Sequence, residues 1–299
     1  MYRHLSPVAI KCPLPAGAVV PLPNIATTLL AYDGSPASVR AFDQALAWAA
    51  ARKGVIMGAI VIQPGEAGIS PAAQAELAED FDEQISGLAG VAMLESGPLE
   101  QTLRTLINRE QSDLVILGTN GRRHGGRKGV GSLTAHLLKD PPATPILVVP
   151  ADLPEGGLLQ PRPGGATAAA VVCGDATDLL VCSFALSAVQ PFGGKVLLLP
   201  VGPSGAEAIG RLREALAQVA GSASPSLQVA APSADVRGAL AAALAQGAGL
   251  VSVRSDAADL AALEATLAHG GISVLRVPTK SVDLATVVPY VAMRTRWER

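Results

Sequence analysis

Leu114-Val115-Ile116-Leu117-Gly118-Thr119-Asn120-Gly121 leads through Arg122 to Val130 and closes at Gly131-Ser132-Leu133. Six of the fourteen residues from Gly118 to Gly131 are glycine, against 31 in the whole 299-residue chain, so the enrichment is local to this stretch. Leu114 to Leu117 is an apolar run that reads as a buried strand, and Ser132, Leu133, His136 and Leu137 open a helix. Glycines between a strand and a helix let the main chain turn tightly and bring its amides together. A helix start adds unpaired N–H groups and a partial positive charge, and Ser132 adds a hydroxyl donor. This combination predicts a cradle for an anion, above all a phosphate, at the carboxyl end of a strand, where open α/β sheets bind ligands. A merely flexible surface linker needs neither the strand before it nor the helix after it.

Outward from that loop, strand and helix patterns alternate. Thr27 to Tyr32, Val55 to Ile62, Val91 to Leu94, Leu114 to Leu117 and Ile146 to Val149 read as strands. Val39, Phe42, Leu46 and Ala49 recur at helical spacing behind Ser35 as cap and Pro36 in the first turn, with Gly54 expected as the left-handed end. Ala73 to Leu88, and the set Leu99, Leu103, Leu106 and Ile107, read as two more helices. Strands apolar on both faces belong in a parallel sheet covered on both sides, reached by right-handed crossovers. Residues 26–150 are therefore expected to form one doubly wound domain, after an extension over residues 1–25. That extension carries Arg3 and Lys11, and Pro13, Pro15, Pro21 and Pro23 break its apolar stretch. It reads as surface chain rather than a secretory signal, which makes the cytoplasm the expected location.

After a Pro- and Gly-rich linker over residues 151–166, the pattern restarts. Strands are expected at Ala168 to Cys173, Lys195 to Val201, Leu227 to Ala230, Leu250 to Val253 and Ile272 to Val277. Helices are expected at Asp178 to Val189, Ala206 to Val219, Val236 to Ala245 and Ala257 to Leu267. An offset of 142 places Asp175 on Asp33, Thr177 on Ser35 and Phe184 on Phe42. A second domain over residues 167–280 and a tail over 281–299 follow. Only the first half carries the glycine loop. Its segment from 118 to 144 has 27 residues, whereas that from 254 to 271 has 18, and Arg254 stands in the place of Gly118.

Composition narrows the function classes. Lys plus Arg (23) nearly balances Asp plus Glu (25), for a net charge of −2, which argues against a general nucleic-acid binder. No apolar run is long enough to span a membrane. Cys12, Cys173 and Cys182 form no metal-binding pattern, and no side-chain set suggests a dedicated metal site or a catalytic base. His124 has no visible carboxylate partner, and the acidic run from Glu76 to Glu83 reads as the wet face of a helix. Arg122, Arg123, Arg127 and Lys128 lie inside the glycine loop, where they suit a triphosphate, an acidic partner or RNA.

Gly121 to Gly126 has the spacing of a Walker A loop, but Arg127-Lys128 follows where Lys and then Ser or Thr is needed; Gly129-Val130-Gly131 starts a dinucleotide fingerprint that Thr134 breaks. The spacing that fits is Gly-x2-Gly-x9-Gly-Ser, at Gly118, Gly121, Gly131 and Ser132. With Leu29 to Ser35, Ser112 to Gly118 and Thr144 to Val149, residues 26–150 resemble the ATP-binding branch of the universal stress protein family. The resemblance implies two tandem doubly wound parallel five-stranded sheets, each of strand order 3-2-1-4-5. It implies ATP, ADP or AMP as ligand, with Mg²⁺ brought by the phosphates. Asp33 would hold the ribose or adenine side, and the main chain of Val61 would lie against adenine. Gly118, Gly121, Gly131 and Ser132 would wrap the ribose and phosphates; Arg127 is expected beside them from the basic cluster in the loop, not from the resemblance. Family members dimerise through the fifth strand, so the two halves are expected to pair within the chain, with a homodimer also open. A stress-response or signalling module is the leading expectation. A slow ATPase or phosphotransferase and a non-binding scaffold are the alternatives, and the second half is expected to bind no nucleotide.

Overall fold

The computed structural model describes residues 23, 25–62, 71–121, 129–153, 166–175, 177–220, 226–256 and 259–278. Arg122, Arg123, His124, Arg127 and Lys128, the linker over 154–165, and the residues expected to form the amino-terminal extension and the tail fall outside them, apart from Pro23 and Ile25.

The first half runs β1 (Thr27–Ala31), α1 (Pro36–Arg52), β2 (Val55–Ile62), α2 (Pro71–Gln84), β3 (Ala89–Ser96), α3 (Leu99–Glu110), β4 (Leu114–Gly118), α4 (Ser132–Lys139) and β5 (Ile146–Val149). The second half repeats that order with β6 (Thr167–Val172), α5 (Asp178–Val189), β7 (Lys195–Pro200), α6 (Gly202–Ala220), β8 (Ser226–Val229), α7 (Val236–Ala245), β9 (Leu250–Arg254), α8 (Leu260–His269) and β10 (Ser273–Val277). Within each half the strands are parallel in the order 3-2-1-4-5.

The two five-stranded sheets are continuous with each other. β5 pairs antiparallel with β10, with Val148 opposite Val274 and Ile146 opposite Arg276, so ten strands form one sheet. Both seam strands are fully buried, which is why their sequences show no polar alternation. One face of the sheet packs a core that includes Phe42, Trp48, Phe81, Leu186 and Leu216, from α1, α2, α5 and α6. The other face buries Leu103, Leu106, Leu137, Leu240 and Leu263, from α3, α4, α7 and α8. Tyr32, Phe42 and Phe81 meet as a ring trio with centroids 5.0 to 5.7 Å apart.

Several local expectations shift. Lys53, not Gly54, takes the left-handed position after α1, with φ 54°. Gly54 is instead required by crowding, since a Cβ there would lie 2.9 Å from the Ala26 carbonyl oxygen. α2 begins and ends earlier than its apolar pattern suggests, and β3 extends two residues further at each end. α8 begins at Leu260 because Asp259 caps it, accepting from Ala262 N at 2.8 Å. No helix among the described residues is long and apolar enough to cross a membrane.

Candidate functional site

Two turns meet at the carboxyl ends of β1 and β4. In the first, Asp33 Oδ1 accepts from Ser35 N at 2.9 Å, an Asx turn that leads the chain into α1. Ser35 then caps α1, its hydroxyl accepting from Ser38 N at 3.2 Å. The same hydroxyl donates across to the main-chain oxygen of Asn120 at 3.2 Å, which joins the first turn to the second.

The second turn is built on close approach. A Cβ on Gly118 would sit 2.6 Å from Ala37 Cβ and 2.9 Å from Ser38 N, so only glycine lets the end of β4 rest on the first turn of α1. A Cβ on Gly121 would lie 2.7 Å from Asp33 Oδ2, so the Asp33 carboxylate stands directly over the second glycine of the spacing. Thr119 N donates to Val149 O at 2.9 Å, and Thr134 Oγ1 donates to Gly118 O at 2.9 Å. Thr134, the residue that breaks the dinucleotide fingerprint, thus ties α4 back to β4.

Gly131 is the N-cap of α4 and provides no side-chain cap. Its own amide is already used, donating to Thr119 O at 2.7 Å. That bond closes the neck of the loop at Gly131. The amides of Ser132, Leu133 and Thr134 occupy the first turn, where a helix offers them no internal acceptor. Ser132 is exposed. Val61, half-buried on β2, packs against the same extended core as Ala31, Val130 and Leu133. Five of the seven expected binding residues, Asp33, Gly118, Gly121, Gly131 and Ser132, gather at the carboxyl ends of β1 and β4. Val61 lies on the neighbouring strand, and Arg127 lies outside the described residues. Asn120, Val130, Leu133 and Thr134 were missed by residue type alone. Their signal was position, since all four flank or fill the glycine spacing.

The equivalent place in the second half is filled by its own side chains. Asp175 keeps the Asx geometry of Asp33, accepting from Thr177 N at 2.8 Å. Its other oxygen pairs with Arg254, which also grips Asp256 at 2.7 and 2.9 Å. The turn after β6 is covered as well, because a Cβ on Gly174 would lie 2.5 Å from Ser204 at the start of α6. Asp178, fully buried, accepts from the amides of Cys173, Gly174 and Asp175 at 3.1, 2.6 and 3.0 Å. In this half a carboxylate already occupies the main-chain donors, and a guanidinium already occupies the aspartate.

Burial pushes the Asp178 carboxyl from an ordinary 3.8 up to about 6, against the downward pull of the Cys173 and Gly174 amides. A carboxyl whose pKa is raised by folding binds protons more tightly in the native state. Its favourable contribution is therefore complete below the unfolded value and is lost as pH rises through about 6. Relative to Asp178→Asn, the wild-type chain should lose about 2 kcal/mol of unfolding free energy between pH 4 and 7.5, measured by urea titration at both pH values. A difference between the two proteins that does not change with pH would contradict this.

Residues 25–150 match the model of the universal stress protein family. No curated protein matches the chain in sequence. Solved structures share its fold over nearly its whole length. A universal stress protein from Archaeoglobus fulgidus is 16% identical with a TM-score of 0.61, covering 84% of this chain and 96% of its own. A functionally unknown protein from Pseudomonas aeruginosa is 16% identical with a TM-score of 0.59, covering 90% and 98%. The cytoplasmic domain of a prokaryotic cation chloride cotransporter is 11% identical with a TM-score of 0.50, covering 84% and 94%. At these identities the likeness establishes the fold alone, and proteins of different roles share it. The sequence match is what assigns the first half: residues 25–150 of this chain are a domain of the universal stress protein family.

Proposed function

We propose that the chain is an adenine-nucleotide-binding module of a stress-response or signalling kind, with one nucleotide held by the first half between Gly118 and Ser132. ATP is the favoured ligand, with ADP or AMP able to occupy the same place and Mg²⁺ carried by the phosphates. In this reading Asp33 faces the ribose or adenine side, and the main chain of Val61 lies against the base. Gly118 and Gly121 keep the turn low enough for the ligand to approach, and Gly131 closes the neck. Ser132 and the amides behind it meet the phosphates, with Arg127 adding charge. The second half binds no nucleotide, because Arg254 and Asp178 take the positions a ligand would need.

The observation that carries the reading is the start of α4. A helix whose N-cap, Gly131, brings no side-chain cap follows a glycine neck at the carboxyl end of a central parallel strand, inside the family-matched segment. Such an end attracts an anion through both its dipole and its unpaired donors. We read residues 26–150 and 167–280 as the two domains of a tandem, paired within one chain. The ladder between β5 and β10 and the Trp48 bond to Ala188 support that pairing. A cytoplasmic location fits a nucleotide-responsive module.

Binding to the native state alone stabilises it by mass action, so ATP with Mg²⁺ at about 100 times Kd should add about 2.7 kcal/mol. Thermal unfolding of the wild-type chain against rising ATP checks this, with Gly131→Asp as the control in which a carboxylate is set at the neck. An ATP-independent melting temperature in the wild-type chain would count against the reading.

A further inference from the structure

The two ends of the glycine loop are tied to each other and to α1 by one residue. Asn120 Nδ2 donates to the Gly129 carbonyl at 3.4 Å, spanning the loop from its entry to its exit. The main-chain oxygen of Asn120 accepts from the Ser35 hydroxyl at 3.2 Å, and that hydroxyl caps α1. Gly131 is pressed against the same residue, since a Cβ on it would lie 3.3 Å from Asn120 Cα. Asn120 therefore touches loop entry, loop exit and the turn that carries Asp33.

We propose that Asn120 is a positioning residue for phosphate recognition, its side-chain amide holding the exit of the loop so that the first amides of α4 stay aimed at the ligand. The inference rests on the nucleotide reading given above. The neck bond from Gly131 N to Thr119 O survives loss of the Asn120 amide. The segment from Gly129 to the start of α4 then has one fewer fixed point, and the phosphate itself must order it. That ordering reduces affinity for a ligand bearing phosphates. A ligand without phosphates makes no use of the first amides of α4 and should not be penalised.

Asn120→Ala removes the donor, and Asn120→Leu removes it while keeping most of the side-chain volume. Each full-length variant is titrated calorimetrically with ATP plus Mg²⁺ and with adenosine, and amide hydrogen exchange is followed over residues 129–133. In both variants ATP affinity should fall about tenfold, as expected for one lost hydrogen bond, while adenosine affinity stays within about twofold. Exchange over residues 129–133 should accelerate about tenfold. Equal weakening of the two ligands, or no weakening of either, overturns the proposal, and so does unchanged exchange. Wild-type protein that binds neither ligand overturns the nucleotide reading itself. In that case faster exchange in both variants still upholds the hold of Asn120 on the loop, and unchanged exchange removes it.

Discussion

Replacing Gly118 with valine should destabilise the chain by about 3 kcal/mol and abolish the stabilisation by ATP that the proposed function requires. The added Cβ would fall 2.6 Å from Ala37 Cβ, 2.7 Å from Ala37 C and 2.9 Å from Ser38 N. Two of these three atoms are main chain, so no rotamer change relieves the overlap, and β4 and the start of α1 must separate. Movement at Gly118 also disturbs its carbonyl, which accepts from Thr134 Oγ1, and so shifts the helix whose first amides face the proposed phosphates. Gly210→Ala is the control. It lies in the interior of α6, where an added Cβ meets nothing within 4 Å, and should stabilise by about 0.5–1 kcal/mol. Urea unfolding with and without ATP reads both effects. A Gly118→Val protein that unfolds like its parent would contradict the close packing of this turn.

Trp48→Ala should cost about 3–5 kcal/mol. Trp48 is 1% exposed and among the largest fully buried side chains. It lies near the end of α1, and its indole Nε1 donates to Ala188 O of α5 at 3.1 Å. Beside it Arg52 donates to the Ser187 carbonyl and, at 2.8 Å, to the Ser187 hydroxyl. Truncation therefore removes packing within the first half and a bond into the second. Trp48→Phe helps to separate the two losses, since it keeps most of the ring packing while forfeiting the bond, at about 1–2 kcal/mol. Circular dichroism in urea measures all three proteins. If Trp48→Ala cost no more than Trp48→Phe, the packing share assigned here would be wrong.

Much of this architecture was readable in residue order. Apolar runs such as Val55 to Ile62 and Leu114 to Leu117 became parallel strands because side chains alternating between two covered faces must all be apolar. The glycine spacing marked the turn at Gly118, although what demands glycine there is the close approach of Ala37 and Ser38 from α1. The seam between β5 and β10 was expected only through family resemblance, since Ile146 to Val149 and Ser273 to Val277 look like any other buried strands and their pairing is decided by distant packing. Lys53 shows a second limit. A left-handed helix end favours glycine, but Gly54 was already claimed by its contact with Ala26 O. At the site, Asp33 and the glycines were legible by type. The double use of the Ser35 hydroxyl and the reach of Asn120 to Gly129 depend on where two separate turns come to lie. In the second half, Arg254 in the place of Gly118 signalled a lost loop, but nothing in its neighbours announced that Asp178 would take up three main-chain amides.

The most direct measurement is a native mass spectrometric count of ATP bound per chain in the presence of Mg²⁺, paired with amide chemical shifts of the same sample. A single nucleotide per chain, with the largest shifts at Gly131, Ser132 and Leu133 and none at Gly174 to Thr177, is the expected result. Two nucleotides per chain, none at all, or shifts centred on Asp175 and Arg254 would contradict it.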